Sequence, residues 1–270
     1  MFELLALAPF QKALAGLVAT GLAYPLLGVV VLNLELLPAR FAVMHASLLG
    51  AALALAAGLD PAGASVLAAI ATGLGVARLS ERGTFSAGGP LGLVMALSLG
   101  LAFIVFYKAN IHAIEAFNLF WGNVLALSWT DLGFTAASAG LILALTAVFF
   151  KEIQAVLYDR ELARALGLPA RGVYYGLIVA TCLGIGLAMR LTGALMVDAL
   201  TILPAFAARP LARSLAGLCV LSGVFGLVMN LGGLGLALAF DLPVSPAIIV
   251  FGSSLCAAAQ LAARARRPAA

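Results

Sequence analysis

The chain has 270 residues, of which 64% are apolar and only 10% charged, and its mean hydropathy is +1.16. Soluble domains carry about half apolar and a quarter charged residues, so a soluble globular fold is excluded and a polytopic helical membrane protein is expected. A net charge of +4 and a pI of about 9.2 come without a basic stripe interleaved with aromatics, so no nucleic-acid partner is implied.

The first residues, MFELLALAPFQKAL, lack a basic n-region and a small-residue cleavage site, and are not read as a removable signal peptide. Apolar windows follow at 11–32, 41–57, 61–78, 90–107, 133–150, 172–189, 192–208, 214–239 and 244–263. Because about 20 helical residues cross a hydrocarbon core, these windows predict an all-α transmembrane bundle of eight or nine spans. They form a single domain over residues 1–270. The piece 112–128 is apolar but short and reads as re-entrant or interfacial, with Trp121 and Trp129 as interface anchors.

One island breaks this pattern. KEIQAVLYDRELARALGLPAR, residues 151–171, gathers Lys151, Glu152, Asp159, Arg160, Glu161, Arg164 and Arg171 between nearly uncharged spans. Asp159 is placed to cap a short helix whose first turn carries Glu161, and Gly167 followed by Pro169 is placed to stop it. Basic residues mark the cytoplasmic side. With the island inside, Arg40, Arg78, Arg82, Lys151, Arg160, Arg164, Arg171, Arg209, Arg213, Arg264, Arg266 and Arg267 also fall inside, leaving Lys12, Lys108 and Arg190 outside. Carboxylates divide evenly, and Asp198 lies within a span.

Other features are structural in this reading. Cys182, Cys219 and Cys256 stand singly in apolar spans without metal-site or disulfide spacing, and the NLGGLG stretch at 230–235 reads as close helix packing. No G-x-x-x-x-G-K-[S/T] loop and no G-x-S-x-G elbow occur, so the chain is not expected to be an enzyme.

Glu161-Leu-Ala163-x-x-x-Gly167 resembles the coupling-loop signature of ABC importer permeases. Six blocks then occur in order: PFQKALAGLVATGLAYPLLGVVV, FAVMHASLLGAALAL, LFWGNVLALSWTDL, YDRELARALGLP, LTGALMVDALTILPAFAA and DLPVSPAIIVFGSSL. They resemble the permeases of the zinc, manganese or iron (or iron-chelate) ABC importers over nearly the whole length. The resemblance implies a multi-pass protein of the cell membrane, embedded in lipid, working as a homodimer or with another permease chain. Its partners would be two cytoplasmic ATPase subunits, which use the ATP, and an extracytoplasmic solute-binding protein. No permanently bound cofactor is implied, a divalent metal being the cargo. Asp159, Arg160, Glu161, Ala163, Arg164 and Gly167 would couple the chain to the ATPase.

Ionisable residues inside a membrane are functional candidates by default. His45, in MHAS, resembles the family's Ser-His-Ala block, and Asp198, in LMVDALTILPA, resembles a pore-facing helix. Imidazole and carboxylate both suit borderline divalent cations. The bland alternatives are a helix-end histidine satisfied by a backbone carbonyl and an Asp198–Arg190 ion pair. The chain departs from the family in two places: Phe41 stands where an aspartate usually precedes the histidine by four residues, and Asn33 and Leu34 stand near the usual basic pair. At 1.5 Å per residue His45 lies about 7–8 Å above Arg40 and Asp198 about 16 Å above Arg209, so straight helices would hold them at different depths. Gly193 and Pro204 bracket Asp198, and a broken span is expected there. His112 and Glu115, a His-x-x-Glu on the outer side, form a candidate metal entrance or a solvated pair. Competing functions are import of another small solute, ion-coupled secondary transport through Asp198, and a scaffold without transport.

Overall fold

A computed structural model describes residues 7–81, 89–111, 122 and 124–265, and of residues 80, 81, 89, 90, 190–192, 194, 195 and 198 it describes the backbone alone. The helices are α1 (Ala8–Asn33), α2 (Leu37–Ala56), α3 (Pro61–Glu81), α4 (Gly89–Lys108), α5 (Trp129–Val148), α6 (Phe150–Tyr158), α7 (Arg160–Ala165), α8 (Ala170–Ala208), α9 (Leu215–Phe240) and α10 (Val244–Ala265). Among the described residues eight helices are long and apolar enough to cross a membrane, within the expected range, and no strand is present. The predicted re-entrant piece lies largely outside the described residues, and its end, Val124–Ala126, is a single 3-10 turn.

The windows at 172–189 and 192–208 are two arms of one helical run. Gly193 has φ 73° and ψ 164°, a conformation open in practice only to glycine. Unbroken, the 39 residues of α8 would extend about 58 Å, far beyond a bilayer. The break leaves one full span, Ala170–Met189, and a shorter apolar arm that includes Ala199–Ala208.

The chain forms two compact units. The first contains α1, α5, the second arm of α8, α9 and α10. Pro25 lies inside α1 and has no N–H, so the Gly21 carbonyl loses its usual donor. That carbonyl faces Gly226 of α9 so closely that a Cβ on Gly226 would collide with it and with the Pro25 ring. One turn along, the fully buried Asn230 donates from Nδ2 to Leu17 O at 2.7 Å and to Thr20 Oγ1 at 3.3 Å. The Thr20 hydroxyl donates to Gly16 O at 2.8 Å. Ser138 donates its hydroxyl proton to Thr135 O at 2.9 Å, so the buried Tyr24 is the donor in the 3.1 Å contact between Tyr24 and Ser138. Gly28 packs on the Thr201 carbonyl of the second arm of α8, and Gly232 and Gly233 pack on Phe251 and Ile248 of α10. The NLGGLG stretch thus serves helix packing, as expected.

The second unit contains α2, α3, α4, α6, α7 and the first arm of α8. Ser47 Oγ donates to Ser65 O at 2.9 Å, and Gly50 sits against Ala64 O and the Ala68 methyl. Ala39 and Ala42 of α2 share a cluster with Val76 of α3 and Leu91 of α4. Gly73 receives the buried Cys182 sulfur, and Gly186 receives Val66, so Cys182 is a packing residue. Small residues let backbones approach where apolar burial gives no advantage over lipid.

The Gly21–Gly226 crossing has a direct test. Gly226→Ala should lower the stability of the detergent-purified protein by about 1–3 kcal/mol, seen as earlier thermal unfolding. Gly235→Ala on the same helix, where a new methyl meets nothing within 4 Å, should leave the melting curve in place.

Candidate functional site

The charged island folds as two helices where one was expected. α6 follows α5 after the break at Phe149 and buries Ile153 and Val156. At Asp159 the backbone turns extended (φ −158°, ψ 112°), and its Oδ1 accepts from the amides of Glu161 at 2.8 Å and Leu162 at 3.0 Å. This is the N-cap that the sequence predicts. α7 then runs for six residues, close to the two turns expected. Gly167, at φ +78°, ends it: Gly167 N bonds Arg164 O at 3.0 Å and Leu168 N bonds Ala163 O at 3.1 Å. Such a pair of bonds needs a left-handed residue after the helix.

Within α7, Ala163 is the buried anchor, only 1% exposed. Glu161 and Arg164 pair at 3.1 Å on the outer face, with side chains 82% and 42% exposed. Solvent screens such a pair to at most about 1 kcal/mol, so it is not what holds the helix. Arg160 turns back toward the unit instead, with its guanidinium 3.9 Å from the Tyr174 ring centre, and Arg171 lies over Tyr175 at 5.8 Å. Arg160 is therefore a positioning residue for α7. Composition did not reveal Tyr158, Leu162 and Leu166, which are exposed apolar side chains on the same segment. Their spacing of four residues was the available signal, but it was masked by the charges between them.

His45 lies in the middle of α2 rather than at its end, but it does meet a backbone carbonyl, as the structural alternative supposed. Its Nδ1 is 2.8 Å from Phe41 O. A carbonyl oxygen only accepts, so Nδ1 carries the proton, and in the neutral ring Nε2 holds the lone pair. A second contact of this kind fixes ring orientation and leaves the other nitrogen for a metal. Phe41, which replaces the expected carboxylate, is partly exposed and has the Arg40 guanidinium 5.3 Å from its ring centre.

Asp198 lies on α8 five positions past the Gly193 break, where the broken span was expected. Its side chain, like that of Arg190, lies outside the described residues. Its neighbours Met196, Val197, Ala199 and Leu200 are all buried, so this turn of backbone is enclosed. His112 and Glu115 lie outside the described residues, as does Trp121. Trp129 opens α5, largely exposed, with Lys12 Nζ 5.8 Å from its ring. Among the described residues no three His, Cys, Asp or Glu side chains stand together as a metal site.

The profile of the ABC 3 transport family matches residues 7–263. The chain belongs to the ABC 3 transport family. The high-affinity zinc uptake system membrane protein ZnuB of Haemophilus influenzae is 26% identical over 255 residues, covering 94% of this chain and 96% of that protein. The manganese transport system membrane protein MntC of Listeria innocua is 28% identical over 242 residues, covering 89% of this chain and 85% of that protein. The solved structure of PsaBC from Streptococcus pneumoniae in complex with Fab aligns with a TM-score of 0.83 and 27% identity, covering 95% of this chain and 92% of that one. The chain is thus a multi-pass membrane permease of an ABC transporter, a transport component and not an enzyme.

Asp159→Ala removes the acceptor for two helix-start amides and should cost α7 about 1 kcal/mol. Hydrogen exchange at Glu161 and Leu162 should then quicken roughly fivefold, with α2 exchange unchanged. Gly193→Ala forces a side chain into a glycine-only conformation at about 1–3 kcal/mol, and should lower the melting temperature more than Gly176→Ala, which meets no neighbour.

Proposed function

We propose that this permease carries a divalent transition-metal cation, zinc or manganese, into the cytoplasm, with His45 Nε2 as a transient ligand. The observation that carries this reading is the imidazole fixed on Phe41 O within an apolar span. One nitrogen donor binds a borderline cation weakly enough for release. Asp198 would supply the hard oxygen donor from the broken arm. A second permease chain, a homodimer partner, would double this ligand set. The cation is cargo, and no resident cofactor is assigned.

ATPase subunits would engage α7 from the cytoplasm through Glu161, Arg164, Leu162 and Leu166, with Asp159, Arg160, Ala163 and Gly167 holding its shape. The capped helix and its buried Ala163 support that role. On the opposite side a solute-binding protein would deliver the cation, with His112 and Glu115 at the entrance, in a cell-membrane location. The relatives that transport zinc or manganese support the cargo class. A second reading, import of a metal chelate, is favoured by Phe41, because its apolar ring suits an organic shell better than a bare ion.

The test is metal uptake by sealed vesicles holding the assembled transporter with ATP inside the ATPase compartment. His45→Ala and Asp198→Asn should each reduce zinc or manganese uptake at least tenfold with assembly intact. Full uptake in both variants would remove the ligand assignment.

A further inference from the structure

We infer that Arg209, Arg213 and Arg264 together bind the phosphate headgroup of an anionic phospholipid in the cytoplasmic leaflet. The site starts from a missing donor. Pro210 has no N–H, so the Phe206 carbonyl in the last turn of α8 lacks its ordinary partner. Gln260 of α10 supplies one, with Nε2 donating to Phe206 O at 3.0 Å. That bond ties the ends of two membrane helices together. Ala207 packs with Cys256 and Ala259 beside it, and Leu211 and Phe225 close the same cluster.

The tie sets the helix ends that carry Arg209 and Arg264 beside each other, with Arg213 four residues past Arg209. Arg264 is four residues past Gln260, on the same face of α10 and one turn nearer the cytoplasm. Arg209 directly follows the last residue of α8, one turn past Phe206. Arg213 sits in the short turn before the Ser214 cap of α9. The bonds Arg209 N to Ala205 O, Leu211 N to Ala208 O and Ala212 N to Ala208 O, each 3.0 Å, keep that turn tight. All three arginine residues are exposed. Among the described residues none of them takes part in an ion pair. From 199 to 265 the sequence holds one acid, Asp241, at the far end of α9, about 39 Å of helix away.

An orientation signal explains a basic residue at the inner end of a span, and a helix C-terminus favours Arg264. Neither explains three uncompensated arginines gathered at one polar tie. The surface on the membrane side of them is apolar: Phe206, Val220 and Leu261 are exposed, each within about two helical turns of an arginine. In a bilayer that apolar surface meets acyl chains, which brings lipid headgroups to the level of the arginines. A phospholipid satisfies both, with its phosphate on the arginines and its acyl chains on the ledge.

The permease, purified with its ATPase subunits, is titrated with phosphatidylglycerol or phosphatidylcholine and the bound lipid counted by native mass spectrometry. The wild type should bind phosphatidylglycerol saturably, and R209Q/R213Q/R264Q should bind it more than tenfold more weakly. The R209K/R213K/R264K variant should recover most of the binding, R78Q at an exposed arginine elsewhere should match the wild type, and phosphatidylcholine should bind weakly throughout. Superimposable phosphatidylglycerol titrations, or equal binding of both lipids, would overturn the assignment. So would loss of ATPase subunits from the glutamine variant with lipid binding unchanged, since the surface would then serve a protein. If the triple variant aggregates, R209Q and R264Q singly decide the matter, at about fivefold each.

Discussion

Hydrocarbon offers no hydrogen-bond donor or acceptor, so each backbone group within it must find its partner in the chain. That constraint governs this molecule more than any side-chain contact. It makes the structure helical and turns each interruption of a helix into a specific local arrangement. Pro25 frees the Gly21 carbonyl, and Gly226 brings a second backbone against it. Pro210 frees the Phe206 carbonyl, and Gln260 donates to it. Close contact at the first of these points depends on glycine, because lipid removes the usual gain from burying apolar surface.

The same constraint shapes the functional parts. A broken helix in a membrane is tolerated where protein encloses it, and the residues around Asp198 are buried. The break at Gly193 therefore falls five residues before Asp198, in backbone whose described neighbours are enclosed. Outside the hydrocarbon the forces differ. α7 is too short to hold itself by propensity, so the Asp159 cap, the Ala163 anchor and the Arg160–Tyr174 contact fix it. Its Glu161–Arg164 pair contributes little to holding the helix.

Much of this was legible in the sequence. Spans were readable because a membrane helix needs an uninterrupted apolar run, and only the 192–208 window differed in kind, being the short arm of a broken run. The cap at Asp159, the stop at Gly167 and the break at Gly193 were readable because each rests on local chemistry. The Arg160–Tyr174 contact and the Asn230–Leu17 bond were not, because nothing local tells which residue fourteen or two hundred positions away will lie opposite. His45 was legible as a candidate, and a backbone carbonyl as its alternative partner, but not that the carbonyl would be Phe41 O in the middle of the helix, since the sequence alone does not fix the ring's rotamer.

The central claim is that ATP hydrolysis by a partner, passed through α7, drives a metal cation through this chain. It is tested most directly by counting cations taken up per ATP hydrolysed in sealed vesicles containing the complete transporter, with and without ionophores that collapse proton and sodium gradients. The account predicts a fixed ratio of cations to ATP that survives collapse of both gradients. Uptake that needs no ATP and disappears with a gradient would contradict it.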